Sequence, residues 1–290
     1  MAIPPDIKDS IAKVKPLSQS AVRLMSIMAD PDHTVAQIAA VVESDPILTG
    51  NVLRVVNSPA FGLRAKISTV ARAVSYTGGN MVVGLALHLC ASGIFNNPLD
   101  GYESQRGSLW RHCLFTAIAS REIARFSDGK ADPEVAYTAG LLHDIGKAVM
   151  SAPLGDSARK IVAIADKGEM PDFVAGEAKA VGTDHPEVGE AIAIHWSLPG
   201  PLREVIRHHH APSKAKEEYR TLVYAVHLGD FIAMMSGTGT GADTMLYLLD
   251  HDYRNFVDIS AAELEKVILD AGQEYQQVVE SMFGSEEEMQ

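Results

Sequence analysis

Apolar residues recur every three or four positions along most of the chain, and no long stretch alternates with period two. The pattern predicts helix after helix and no convincing strand. Residues 18–29 put Ala21, Leu24, Met25 and Met28 on one face. Thr34 is placed to cap a second helix carrying Val35, Ile38, Ala39 and Val42. Asp45-Pro46 is a cap followed by a first-turn proline. It opens a third helix with Leu48, Val52, Leu53 and Val56, which stops at Asn57-Ser58-Pro59. Further helices are predicted over 68–76 and 81–94. Residues 96–107 are polar and turn-rich and make the best boundary. Beyond them come 108–126, 132–150, 156–167, 186–196, 199–210, 218–235 and 243–249, then a last helix opened by the capping box Ser260 and Glu263. The expected fold is all-α, with a helical part over 1–103 and a second over 104–290 that ends in an acidic tail.

Composition narrows the function classes. The chain has 290 residues, 47% hydrophobic and 21% charged, enough to bury a sizeable core. Asp and Glu outnumber Lys and Arg by 37 to 25, a formal charge of −12. Such a field repels phosphate backbones, so general nucleic-acid binding is not expected, although a local metal pocket is compatible with it. Two cysteines, Cys90 and Cys113, make no disulfide framework and no CxxC pair, which suits a reducing cytoplasm. The first ten residues lack a basic stretch followed by an apolar core, so no signal peptide is expected. The longest apolar run, 81–90, is broken by Gly84 and His88 and is too short to span a bilayer.

The chemistry is concentrated in the histidines, 11 in all, most of them beyond residue 110. In the stretch from Gly140 to Lys147, His143 follows Ala139 by four and Ala136 by seven, which puts it on the inward face, with Asp144 next. An inward carboxylate beside an imidazole needs a partner, and a divalent metal supplies one. His209 and His210 follow Val205 and Ile206 by four, so both point inward, whereas His208 falls on the outer side with Glu204. Asp230 lies on the inward stripe Val223, Val226, Ala233, one turn after His227. His112 follows Leu109 by one turn, and His185 precedes Pro186 at the start of a helix that Asp184 is placed to cap. Seven residues thus become candidate metal ligands: His112, His143, Asp144, His185, His209, His210 and Asp230. Seven are more than one ion needs. The expected cofactor is a divalent, dinuclear centre, iron or manganese favoured and zinc possible, with Asp144 suited to bridging.

The order His112, His143-Asp144, Asp230 resembles the H…HD…D pattern of the HD phosphohydrolase superfamily. The run His143-Asp144-Ile145-Gly146-Lys147, then His185-Pro186-Glu187-Val188-Gly189, then His209-His210 is similar to the HD-GYP branch, phosphodiesterases acting on cyclic dinucleotides. That resemblance implies a catalytic role for Lys147. It departs from the branch at Ala211-Pro212-Ser213-Lys214, where the GYP motif is missing, and at Ser108, where a third-metal glutamate would fall. The earlier half carries a different signature. Pro16-Leu17-Ser18, Asp45-Pro46-Ile47-Leu48, Leu53-Arg54-Val55-Val56-Asn57-Ser58, Ile67-Ser68-Thr69-Val70, Ala73-Val74 and Gly78-Gly79 occur in an order that closely resembles the HDOD domain, the HD-related output domain of bacterial signalling proteins. The likeness covers roughly residues 10–280. It implies an N-terminal helical subdomain packed on an HD-like helical subdomain. Many HDOD proteins have lost the HD metal ligands, whereas this sequence keeps a near-complete set.

Plainer readings stand beside these. His143 and Asp144 could be a core hydrogen-bonded pair, His185 a plain N-cap neighbour, His209-His210 a helix end favouring the helix dipole, and Asp230 a partner of an arginine or of His227. Lys147 is either solvated or phosphate-facing. His88 reads as a satisfied core histidine, and Arg54 and Asn57 as the capped end of a helix. Two functions follow. One is a signal-transduction output domain with a signalling protein partner and a structural or sensing metal. The other is a metal-dependent phosphohydrolase acting on a nucleotide or cyclic dinucleotide.

Overall fold

A computed structural model describes residues 3–28, 30, 32–90, 92–165 and 167–283. The side chain of Cys90 and the acidic end at 284–290 lie outside the described residues. The described residues contain no strand, only the isolated bridge between Leu99 and Ser104. The first part holds α1 (Pro5–Ala12), α2 (Gln19–Met28), α3 (Val35–Glu43), α4 (Pro46–Val56), α5 (Val70–Thr77), α6 (Gly79–Cys90) and α7 (Ser92–Phe95). The second holds α8 (Ser108–Ala124), α9 (Pro133–Leu142), α10 (Gly146–Leu154), α11 (Ser157–Ala165), α12 (Phe173–Val181), α13 (His185–His195), α14 (Gly200–His208), α15 (Glu217–Met235) and α16 (Ala261–Phe283). Among the described residues, no helix is long and apolar enough to cross a membrane.

The predicted caps form. Thr34 and Gln37 close a reciprocal capping box on α3, Asp45 accepts from Ile47 and Leu48 backbone N–H groups, and Asp184 accepts from that of Glu187. Two helices escape the sequence pattern, α1 and α12. Two predictions are corrected. The single helix expected over 132–150 breaks at His143-Asp144. There i→i+3 hydrogen bonds from the amides of Ile145, Lys147 and Ala148 to the carbonyls of Leu142, Asp144 and Ile145 tighten the chain and redirect it. The helix expected over 243–249 does not form. The Asp243 carboxylate is taken by Lys147, Thr240 and Tyr247, and Met245 has a positive φ of 62°.

α8 is the central rod. It packs against α9, α15 and α16, and its residues are buried on nearly every side. That burial explains why its pattern lacks a polar stripe. α9 approaches it so closely that a Cβ on Gly140 would lie 2.7 Å from the Cα of Ala117. α10 and α13 are pressed together in the same way. A Cβ on Gly146 would lie 1.9 Å from the carbonyl oxygen of His185. These two contacts set the distances between the helices that carry the histidines. α1, although first in the chain, packs on α13 and α10. His195 Nε2 meets the Val14 carbonyl at 3.2 Å, and Trp196 Nε1 donates to that of Lys15 at 3.1 Å.

The Gly146 contact predicts a large effect from a single methyl. Gly146→Ala should destabilise the protein by about 2–4 kcal/mol, because backbone rather than a flexible side chain meets the new carbon. A thermal melt indistinguishable from the parent would refute the close approach.

Candidate metal centre

The seven residues singled out in the sequence come together. His112 comes from α8, His143 and Asp144 from the turn after α9, His185 from the first position of α13, His209 and His210 from the turn after α14, and Asp230 from α15. All but His210 are at most 3% exposed. Asp144 sits between two groups. Its Oδ2 lies 3.5 Å from both His112 Nε2 and His143 Nε2, and its Oδ1 lies 3.3 Å from His185 Nε2 and 3.5 Å from His209 Nε2. Asp230 closes the first group, with Oδ1 3.0 Å from His112 Nε2 and 3.6 Å from His143 Nε2. His210 stands at the edge of the second, its Nδ1 3.8 Å from Asp230 Oδ2.

The tautomers follow from the other ring nitrogens. Nδ1 of His112 faces the Thr238 carbonyl at 2.7 Å, that of His143 the Gly140 carbonyl at 2.8 Å, and that of His209 the Ile206 carbonyl at 3.0 Å. Nδ1 of His185 faces Glu177 Oε2 at 2.7 Å. Carbonyls and carboxylates only accept, so each Nδ1 carries the proton and each Nε2 presents a lone pair. Those lone pairs point at one another and at Asp144. Nε2 of His185, Nε2 of His209 and both ring nitrogens of His210 make no hydrogen bond. Buried acceptors facing acceptors are repulsive unless a proton or a cation lies between them. The donor set of imidazole and carboxylate, held by outer hydrogen bonds, fits a divalent metal in each group.

Without metal, protons must do that work. Burial opposes charge on His143, but Asp144 and Asp230 hold its imidazolium well above the usual range. Burial likewise opposes charge on His185, yet Glu177 and Asp144 push it up to about 9. For His209 burial wins and lowers it to about 4. The Asp144 carboxyl is buried too, but Lys147 and His143 keep it well below its ordinary value.

Lys147 is held inside the cluster. It is 1% exposed, so it is not solvated. Its ammonium lies 2.7 Å from Asp144 Oδ2 and 2.6 Å from Asp243 Oδ2, donates to Thr240 Oγ1 at 2.9 Å, and has the Tyr102 and Tyr247 rings within 6 Å. Burial disfavours its charge, but the two carboxylates more than compensate.

Sequence reasoning missed the residues that hold the ligands. Glu177, fully buried on α12, accepts from the His185 amide and ring and from the Tyr102 hydroxyl. Tyr247 stacks on His210 with centroids 3.9 Å apart. Thr238, Thr240, Asp243 and Tyr247 all belong to the segment that runs over the cluster after α15. The one available signal was Glu177 itself, a lone acid in a helix whose other residues are mostly apolar. His227 is no ligand. Its Nδ1 donates to the His209 carbonyl at 2.7 Å and its Nε2 accepts from the Asp250 amide at 2.8 Å, so it positions the His209 turn. His88 packs on Trp110, as a core histidine should. His208 faces outward, 3.9 Å from Glu204.

The histidines predict a stability profile for the metal-free protein. His88 and His209, ordinarily near 6.5, are pushed down to about 4, so below 6.5 the unfolded chain takes up protons that the folded one refuses. His185, raised to about 9, stabilises fully below 6.5 and loses that contribution as pH rises through 9. Urea midpoints measured in EDTA should fall from pH 6.5 toward 4, and again toward pH 9. His88→Phe should flatten the acid limb, and an unchanged acid limb would count against a neutral, half-buried His88.

The chain matches the HDOD domain over residues 14–212. It is 26% identical over 220 residues to an uncharacterized protein of Treponema pallidum (strain Nichols), covering 76% of this chain and 42% of that one. The chain therefore spans less than half the length of that relative. Among solved structures it is similar to an HDOD domain protein of unknown function from Geobacter sulfurreducens, with TM-score 0.67, 22% identity, and 97% of each chain covered. It is also similar to a Shewanella amazonensis SB2B protein proposed to be a phosphohydrolase (TM-score 0.65, 20% identity, 96% and 98% covered). A third is a Marinobacter aquaeolei VT8 protein proposed to act in signal transduction (TM-score 0.71, 19% identity, 96% and 61% covered). At these identities the structures establish a shared fold. The match over more than half its length, on a helical fold of the same kind, makes this chain a member of the HDOD family.

Proposed function

We propose that the protein is a signal-transduction output domain of HDOD type that holds a two-metal centre and acts through a protein partner. The observation that carries the reading is Asp144, whose two oxygens face two separate histidine groups. His112, His143, Asp144 and Asp230 would hold one ion, and Asp144, His185, His209 and His210 the other. Iron or manganese suits the donor set best, with zinc possible. Two such ions, when bound, supply Lewis acidity toward a phosphoryl oxygen and activate water.

The burial of the cluster supports regulation over turnover. Lys147, which a hydrolase of this pattern would use on phosphate, is committed to Asp144 and Asp243 on two sides. The segment carrying Thr238, Thr240, Asp243 and Tyr247 covers the ligands. The alternative is a metal-dependent phosphohydrolase of a nucleotide or cyclic dinucleotide with Lys147 as a catalytic group. It is favoured by the near-complete set of candidate ligands and requires that segment to open.

Elemental mass spectrometry of the untagged protein tests the centre. About two equivalents of metal are expected in the parent. His185→Ala should keep about one, and Asp144→Ala should keep little. Near-zero metal in a folded, metal-supplemented parent would end the metal reading. Hydrolysis of bis(p-nitrophenyl) phosphate or a cyclic dinucleotide by the manganese-loaded protein, abolished in His143→Ala, would replace the output-domain reading with the enzymatic one.

A further inference from the structure

The net negative charge of this chain arises entirely beyond residue 103. Residues 1–103 hold eight Lys and Arg and eight Asp and Glu, so the whole excess of −12 lies beyond them. Within the first part, no acid occurs between Asp45 and Asp100, while Arg54, Arg64, Lys66 and Arg72 do. All four are exposed, and among the described residues none is paired with a carboxylate.

The Asn57 side chain ties together the segments of chain that carry them. It donates to the carbonyls of Leu53 and Ile67 at 2.7 and 2.8 Å and accepts from the Ile67 amide at 2.8 Å. It thus ties the end of α4 to the start of α5 and makes the intervening residues one clamped loop. Gly62, in the left-handed region at φ 56°, closes the turn over Pro59–Phe61. The Tyr76 hydroxyl donates to the Phe61 carbonyl at 3.3 Å, pinning the loop to α5. Arg54 precedes Asn57 by one turn, Lys66 adjoins Ile67, Arg64 is in the loop, and Arg72 precedes Tyr76 by one turn. The clamp is built from neutral hydrogen bonds, so the four cations are not needed to hold it.

We infer that this face is a docking surface for a carboxylate-rich segment of another protein. A fixed backbone presents four cations that no carboxylate neutralises, with Arg54 already steadied by a 2.7 Å hydrogen bond to Asn51 Oδ1, at little ordering cost. A compact acidic segment can lie on them alone, whereas a long polyanion would run on over the repelling remainder of the chain. The inference deepens the output-domain reading by naming the partner's chemistry, and it is independent of the metal.

The probe is a labelled short polyglutamate peptide, read by fluorescence anisotropy at low salt in the full chain. Arg54, Arg64, Lys66 and Arg72 are changed together to Glu, and a control changes the exposed Lys130, Lys160, Lys167 and Lys214 to Glu, giving the same net charge. The parent should bind, the first variant should lose at least about tenfold in affinity, and the control should stay within about threefold of the parent. Binding should weaken with added salt and be the same in EDTA, so failure of the metal reading would leave it intact. Equal losses in both variants, with thermal melts showing both folded, would overturn the inference. So would tighter binding of an oligothymidylate of equal charge, or binding that appears only after residues 284–290 are deleted.

Discussion

A buried carboxylate surrounded by lone pairs organises this molecule. Asp144 has imidazole nitrogens on both sides, each turned toward it by a hydrogen bond that fixes the proton on the far nitrogen of the ring. Left to themselves these groups repel, and only positive charge makes the arrangement tolerable. Lys147 supplies one charge permanently. The remainder comes from protons or from metal ions, so what occupies the space between the rings helps to determine how well the helices that carry them stay together. Those helices have few alternatives, because α9 touches α8, and α10 touches α13, at backbone distance.

The helices and the clustering of the candidate ligands were legible in the sequence for one reason: both obey local spacing. His209 and His210 repeat the inward positions of Val205 and Ile206, and Asp230 repeats the stripe of Val226. A residue on such a stripe faces the core whatever else the fold does. The break at His143-Asp144 was not legible, because the apolar period runs straight across it. The burial of Lys147 was not legible for a related reason. Its burial depends on Asp243, distant in sequence, and no local pattern announces that pairing. Tyr102 and Glu177 are likewise separated by many residues and meet only through tertiary structure. α12 was missed because its boundaries are set by Asp172 and Gly182 while its apolar spacing is short and irregular.

The two parts of the chain divide their physical tasks. The later helices gather titratable groups and exclude water from them. The earlier ones bury apolar faces and present a polar surface in which the Asn57 amide clamps the loop between α4 and α5. The connection between them is itself part of the site, since Tyr102 in the 3₁₀ turn Asp100–Tyr102 donates to the carboxylate that orients His185.

The segment over the cluster has no helical ladder of its own. Several of its ties are side-chain or single-backbone contacts to groups whose charge depends on the cluster beneath it. Local opening is least costly where backbone bonds are few. This cover therefore differs from a packed helix, which would resist opening equally in every ionic state. Its hold combines backbone bonds to Tyr102 and Phe173 with the Lys147–Asp243 pair, so charge within the cluster bears on how firmly the cover sits.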